Sequence, residues 1–198
     1  NYNSVLYLKE TIWSLIRKQL PEAQLHVYGA YASQKVNQLH NEKQGFLIKG
    51  YAEHVNEVME TSKVCLAPIR FGAGLKGKLI DAMNSGTPFM TTTVGAEGVI
   101  ALGMAMACVE DDPEEFANKA VALYKDQTFW KENQQNGFQL ISQRFNKDKF
   151  QKELFKCVES GTKNLQENRQ NNFTGQMLQH HMLQSTKFMS KWIEEKNK

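Results

Sequence analysis

The sequence has few of the features that mark secreted, disulfide-rich or membrane-spanning proteins. Its 198 residues include three cysteines, which lie far apart, and four prolines. An odd number of widely spaced cysteines favours free thiols in a reducing compartment, and we therefore expect a cytoplasmic protein. No run approaches the ~18 consecutive apolar residues of a membrane span, and no secretory signal is visible. Any membrane association is expected to be peripheral at most.

The chain also lacks a strong excess of charge of either sign. It has 24 basic and 21 acidic residues, which are interspersed and give a formal net charge of +3. A balance this mild predicts no nucleic-acid partner. Apolar residues make up 41% of the chain, and its length suits one domain with an appendage. The chain begins with Asn1 and not with Met, which predicts that it is a piece of a longer protein.

Short apolar segments alternate with helical patterns in the first half of the chain. A helix is predicted over residues 4–20, and strands are predicted at residues 25–28, 46–48 and 64–67. About ten residues with helical spacing follow each strand, an arrangement that favours parallel βαβ units with right-handed crossovers. The predicted fold is therefore α/β, with a Rossmann-like parallel sheet, helices on both of its faces and further helices at the C-terminus.

The stretch at residues 64–98 has the features of a phosphate-binding site. Gly72, Gly74 and Gly77 follow a predicted strand and precede a helix that is expected to end near Gly86. Glycines at the start of a helix let backbone N–H groups approach an anion, which the helix N-terminus also favours. Three cations lie around the same point: Arg70, Lys76 and Lys78.

Two general phosphate-binding motifs fit this stretch in part. Residues 72–77 match G-x-G-x-x-G and Glu97 follows about 20 residues later, as in dinucleotide-binding folds. Such folds, however, place the loop after their first strand, whereas several strand–helix units come first here. Residues 72–78 also match G-x-x-x-x-G-K, but Leu79 stands where a P-loop needs Ser or Thr to hold Mg²⁺.

A third interpretation comes from a family resemblance. Residues 68–83, 86–88 and 95–98 resemble, in order and spacing, the nucleotide-sugar-binding half of the group 1 glycosyltransferases. The resemblance covers about residues 4–150. It implies a GT-B fold with two Rossmann-like domains, of which this chain would be the C-terminal one without its first strand. It also implies that no metal or other cofactor is needed, since the NDP-sugar is the donor substrate.

The resemblance further implies roles for individual residues. The acidic residue before Ala-Met binds the ribose of the donor in that family, and Asp81 matches it. The backbone at Gly74 and Leu75 matches the part that meets the diphosphate. Many members have another Glu eight positions before the ribose acid, where this chain has Ala73. No catalytic residue is therefore assigned.

The residue types themselves suggest further contacts. Arg70 follows a strand end, where a guanidinium can bind phosphate through two hydrogen bonds. Lys78 lies about one turn into the helix and is favoured over Lys76 for the diphosphate. Tyr51 is either a stacking partner for the base or a rim residue, and Glu97 either contacts the sugar or is solvated. The predicted donor-binding set is Tyr51, Arg70, Gly72, Gly74, Leu75, Lys78, Asp81, Glu97 and Gly98.

The C-terminal part of the sequence predicts helices beyond the donor-binding domain. We divide the chain into that domain (residues 1–158), a polar linker or turn (residues 159–175) and a final helix (residues 176–198). The final helix either packs on a domain or drives a homodimer, while its basic content is low for a membrane-surface helix. Its expected apolar face consists of Leu178, Met182, Met189, Trp192 and Ile193.

These features together predict the donor-binding half of a glycosyltransferase. It would bind an NDP-sugar and support transfer, with hexosyl specificity and retention implied by the resemblance, to an acceptor held by an N-terminal domain. Two alternatives stay open. The chain could be a nucleotide-binding module without catalysis, which Ala73 favours, or a structural or interaction domain with a degenerate site. The residues do not specify the base, the sugar or the acceptor.

Overall fold

The chain forms two compact units in a computed structural model that describes residues 2–100 and 107–197, apart from the side chains of residues 180–183. The first unit ends at Phe145 and the second begins at Asn146. Every predicted donor-binding residue lies in the first unit. Met182, predicted on the apolar face of the final helix, lies outside the described side chains.

The first unit opens with one long helical stretch over residues 2–19, as the apolar spacing predicted. Its middle turns are π-helical, and the whole ends shortly before Pro21, which cannot continue a helix. Leu8, Ile12 and Trp13 are buried on one face, and the Trp13 indole N–H donates to the Gln44 carbonyl over 2.7 Å. The segments are α1 (Tyr2–Tyr7), a π-helix (Leu8–Trp13) and α2 (Ser14–Gln19).

Four short strands pair in parallel, which confirms the predicted parallel pairing. The pairs are β1 (Leu25–Tyr28) with β2 (Phe46–Gly50), and β3 (Cys65–Ala67) with β4 (Phe89–Thr91). Hydrogen bonding among the described residues gives two two-stranded sheets and does not join β1 to β3. Beyond β4, Val109 forms one parallel bridge with Thr91. The missing first strand stays a prediction.

Four short helices connect or follow these strands in the first unit. Among them, the helix that follows the glycine-rich loop starts at Gly77, the last of the three glycines that were expected to precede it, and its last turn is closed by Gly86 at φ +71°. Its buried side is formed by Leu79, Ala82 and Met83, which belong to the core. The bounds are α3 (Gln34–Asn37), α4 (Val55–Glu60), α5 (Gly77–Asn84) and α6 (Thr93–Ala96).

Two longer helices, α7 (Pro113–Lys125) and α8 (Gln127–Arg144), complete the first unit. Asp112 caps α7 by accepting hydrogen bonds from the N–H groups of Glu114 and Glu115, each over 3.0 Å. Helix α8 packs closely on α5. A Cβ atom at Gly137 of α8 would lie only 3.2 Å from the Met83 side chain of α5. The helix that carries the predicted ribose ligand is therefore supported by a close helix–helix contact.

The second unit consists of helices α9 (Lys147–Lys163), α10 (Leu165–Asn171) and α11 (Phe173–Lys196). Much of the segment at residues 159–175, which was predicted to be a polar linker or turn, is helical. Its Gln, Glu, Lys and Arg residues have good helix propensity, and polarity alone does not prevent a helix. None of the described helices is both long enough and apolar enough to cross a membrane. The three-part division of the chain stays a prediction.

Candidate functional site

The loop between β3 and α5 presents a run of backbone N–H groups that have no acceptor among the described residues. Gly72 and Gly74 have φ values of +137° and +79°, which L side chains rarely adopt. The Lys76 ammonium donates to the Gly74 carbonyl over 2.6 Å and to the Gly72 carbonyl over 3.4 Å. Within the described part of the chain, no backbone N–H of residues 72–78 has an acceptor. These donors, at the N-terminus of α5, can bind an anion.

A second glycine turn, at residues 95–98, lies against this loop. A Cβ atom at Gly98, where φ is +76°, would stand 3.3 Å from the Leu75 Cδ2 atom. Leu75 is largely exposed, and so are Gly98 and the neighbouring Glu97. The structure thus brings three predicted donor-binding residues, Leu75, Glu97 and Gly98, to one place on the surface.

Two buried threonines at the end of β4 hold these turns together. The Thr91 hydroxyl donates to the Ala67 carbonyl over 2.8 Å, and the Thr92 hydroxyl donates to the Ile69 carbonyl. Thr92 Oγ1 also accepts from the Gly95 N–H over 3.1 Å. The Thr92 side chain therefore links Ile69, which follows β3, to Gly95 in the second glycine turn. The sequence analysis missed this role, although the run of three threonines at residues 91–93 was a signal.

Asp81 lies on α5 with its side chain half-buried. Its carboxylate forms no hydrogen bond or ion pair with any other residue in the described ranges. A carboxylate in this setting gains from a hydroxyl donor, because partial burial without a partner is unfavourable. The next residues, Ala82 and Met83, are buried and fix the orientation of this helix face.

The three cations of the loop have different surroundings. The Lys76 ammonium donates its hydrogen bonds to the loop carbonyls. The Lys78 side chain, by contrast, is exposed and has no partner among the described residues. Arg70 is exposed as well, but its guanidinium donates to Asn3 and stacks on Tyr7. Asn3 and Tyr7 were not predicted, since they lie more than sixty residues from Arg70 in sequence.

The partly buried thiol of Cys65 reports on the electrostatics beneath the loop. Burial raises the pKa of Cys65 to about 11, while the positive charge of Lys78 lowers this pKa and the negative charge of Asp81 raises it. Lys78 and Asp81 therefore lie within electrostatic range of the start of β3. A thiol with so high a pKa is protonated at neutral pH and is a poor nucleophile.

Tyr51 stands apart from the other predicted site residues. It follows β2, which belongs to the other sheet, and 70% of its side chain is exposed. No hydrogen bond or ring contact joins it to another residue of the described part.

The described ranges contain no cluster of three or more His, Cys, Asp or Glu side chains that could hold a metal ion. A stacking role for Tyr51 and the absence of a cofactor stay predictions.

Comparison with known protein families supports the resemblance drawn from the sequence. Residues 1–126 match the model of a family described as glycosyl transferases group 1. This match includes both glycine turns and the whole of α5. A comparison with curated proteins finds no match.

Two solved structures share the fold at low sequence identity. A point mutant of S. aureus TarM, in complex with fondaparinux, α-GlcNAc-glycerol and UDP, aligns with a TM-score of 0.64 at 18% identity. The alignment covers 77% of this chain and 32% of that one. The pneumococcal O-GlcNAc transferase GtfA in complex with UDP and GlcNAc gives 0.60 at 21% identity, covering 79% and 33%. The chain thus corresponds to about one third of each of these proteins.

Proposed function

The chain belongs to the group 1 glycosyltransferases, and on this basis we propose that it binds the nucleotide-sugar donor of such an enzyme. The main support is the loop over residues 72–78, whose N–H groups have no acceptor in the described chain. It lies at the N-terminus of α5, where the helix dipole favours negative charge. A diphosphate carries negative charge, and its oxygens can accept hydrogen bonds from these N–H groups.

The remaining site residues suit other parts of the donor. The Asp81 carboxylate, which has no partner among the described residues, accepts hydrogen bonds from the ribose hydroxyls, and the Gly74–Leu75 backbone binds the diphosphate. Lys78 and Arg70 add positive charge beside it. Glu97 and Gly98, which the structure places next to Leu75, are proposed to lie near the sugar. Tyr51 is proposed to contact the base, although it lies beyond the other sheet.

In transfer, negative charge builds up on the diphosphate as the bond to the sugar breaks. Fixed N–H groups, a helix dipole and nearby cations stabilise that charge without reorganising. The chain supplies these groups but no assigned catalytic base. We propose a hexosyl transfer with retention, completed by an acceptor-binding N-terminal domain. UDP is the first nucleotide to test, since both structural neighbours were solved with it.

The test compares UDP with 2′,3′-dideoxy-UDP by isothermal titration calorimetry. Asp81→Asn keeps the side-chain shape and removes the charge, so it should weaken UDP about tenfold while changing the dideoxy ligand little. Glu132→Ala, on the exposed surface of α8, is the matched control and should change neither affinity. GDP and ADP, measured in parallel, identify the base.

Two results would contradict the proposal. If Asp81→Asn weakened the binding of UDP and of 2′,3′-dideoxy-UDP equally, the carboxylate would not contact the ribose hydroxyls. If the chain bound no nucleotide, the interpretation as a structural or interaction domain would be favoured. A nucleotide-binding module without catalysis is a second candidate, favoured by Ala73 in the exposed loop. Binding without donor hydrolysis or transfer, in a protein that contains the acceptor-binding half, would select that module.

A further inference from the structure

The guanidinium of Arg70 is fixed by two residues from the start of the chain. Its Nε and Nη2 atoms both donate to the Asn3 Oδ1 atom, over 3.0 and 2.8 Å. Its central carbon lies 4.6 Å from the centre of the Tyr7 ring, a distance typical of cation–π stacking. Asn3 therefore holds one edge of the planar group and Tyr7 holds one face.

This arrangement leaves part of Arg70 free for another ligand. Within the described residues, the Nη1 atom donates to no acceptor, and the side chain as a whole is exposed. Arg70 stands two residues before Gly72, the first glycine of the loop whose N–H groups have no acceptor in the described ranges. An exposed arginine normally loses side-chain entropy when it binds an anion, and a preset guanidinium loses less.

We propose that Asn3 and Tyr7 are positioning residues that preset Arg70 for the diphosphate of the donor, an inference that rests on the proposed donor site. A simpler role would be to tie α1 to the loop without influencing any ligand. The two roles differ in one measurable respect. If Asn3 and Tyr7 preset the cation, they strengthen the binding of phosphate-bearing ligands only. If they merely attach α1 to the loop, they affect the stability of the fold and change the affinity for all ligands equally.

The experiment measures the affinities of UDP and of uridine, which has no phosphate, for the 198-residue chain and its variants. Asn3→Ala and Tyr7→Leu should each weaken UDP about three- to tenfold and leave uridine unchanged. Tyr7→Phe keeps the stacked ring and should bind UDP like the wild type. In an Arg70→Ala background, Asn3→Ala should cause no further loss, because its effect passes through Arg70.

Asn3→Asp covers the case in which the other variants fold poorly. Its carboxylate would pair with Arg70, so the unfolding midpoint without ligand should be kept while UDP binding weakens. An unchanged ratio of UDP to uridine affinity in all Asn3 and Tyr7 variants would overturn the inference and leave the donor site standing. So would an undiminished effect of Asn3→Ala without Arg70. A wild type that binds neither ligand would overturn both proposals.

Discussion

Gly98 lies close to the Leu75 side chain, although the two residues belong to separate turns of the chain. A Cβ atom at Gly98 would lie 3.3 Å from the Leu75 Cδ2 atom, and the backbone of Gly98 has φ +76°. Both residues belong to the predicted donor-binding set, and their proximity places the second glycine turn beside the first. Whatever side chain stands at residue 98 therefore influences the shape of the first loop.

Gly98→Ala should disturb both the backbone and this contact. An L residue at positive φ costs about 1–2 kcal/mol, so the free energy of unfolding should fall by roughly that amount. UDP affinity should fall as well, since Leu75 has to move. The matched control is Gly29→Ala. The φ angle of Gly29 is not positive, and an added Cβ atom there would have no described neighbour within 4 Å. Denaturant unfolding and titration calorimetry measure both effects, and equal behaviour of the two variants would contradict the prediction.

Gly95 is expected to tolerate no side chain, because of Thr91. A Cβ atom at Gly95 would lie 2.0 Å from the Thr91 hydroxyl oxygen, inside the buried end of β4. Gly95→Ala should lower the free energy of unfolding by about 1–3 kcal/mol. Thr91→Ala removes that oxygen, so the double variant should lose less than the two single variants added together.

Thr91→Val serves as the control for this pair, since it keeps a group of similar size where the hydroxyl was. Combined with Gly95→Ala, it should bring no relief of the collision. Relief by valine as large as that by alanine would show that the hydroxyl position is not the cause.

The ion pair between Glu110 and Lys119 should make stability depend on pH. The Lys119 ammonium donates to Glu110 over 2.7 Å, and this bond, with the N–H groups of Asp112 and Asp111, lowers the pKa of Glu110 below 4.5. The contribution is therefore present above about pH 4.5 and is lost as the pH falls through the lower folded-state pKa.

Urea unfolding of the wild type and of Glu110→Gln between about pH 3 and pH 7 measures this contribution. The difference in stability between the two proteins should be largest at neutral pH and should shrink on acidification. A difference that stays constant over this range would show that the carboxylate contributes through packing and not through its charge.

The three cysteines should differ sharply in reactivity. Burial raises the pKa of Cys65 to about 11 and that of Cys108 to about 12, whereas Cys157 is exposed on α9. A thiol reagent at about pH 8 should therefore modify one thiol quickly in the native chain and all three after unfolding in urea. Cys157→Ser should abolish the fast reaction. A fast reaction that persists in this variant would place Cys65 or Cys108 within reach of solvent.

Helix α11 exposes large apolar side chains that would suit a homodimer. Met189, Trp192 and Ile193 are 64%, 60% and 44% exposed. If this face joins two copies, Trp192→Glu should shift the chain toward monomer in sedimentation experiments. Gln179→Glu adds the same charge on another side of the helix and should leave the assembly unchanged. A wild type that is monomeric at high concentration would contradict the prediction.

The sequence predicted the elements that depend on local patterns. The bounds of β1 agree with the prediction, and α5 starts at the last of the glycines expected to precede it, because apolar spacing and glycine signals act over a few residues. The contact of Arg70 with Asn3 could not be predicted, since it joins residues that meet only after the sheet and helices have packed. Lys76 was expected near a phosphate or in solvent, and its preference for the loop carbonyls depends on the positive φ angles of Gly72 and Gly74.

The helices within residues 159–175 were not predicted for a different reason. Polar composition was interpreted as a linker, but Asn, Gln, Glu and Lys also cover exposed helices. Asn172 shows this directly, because its side chain accepts from the Gly175 N–H over 2.9 Å and begins α11. A residue counted as evidence for a turn is in fact the N-cap of the final helix.

The free amides of residues 72–78 give the site a spectroscopic reporter of its own. An N–H without an acceptor exchanges its proton with water quickly, whereas those inside α5 and α8 are protected by helical hydrogen bonds. The loop amides would therefore fade before those inside α5 and α8 in a hydrogen–deuterium experiment on the free chain. A bound anion that accepts from them would slow that exchange and move their resonances, so occupancy could be followed residue by residue without any label on the ligand.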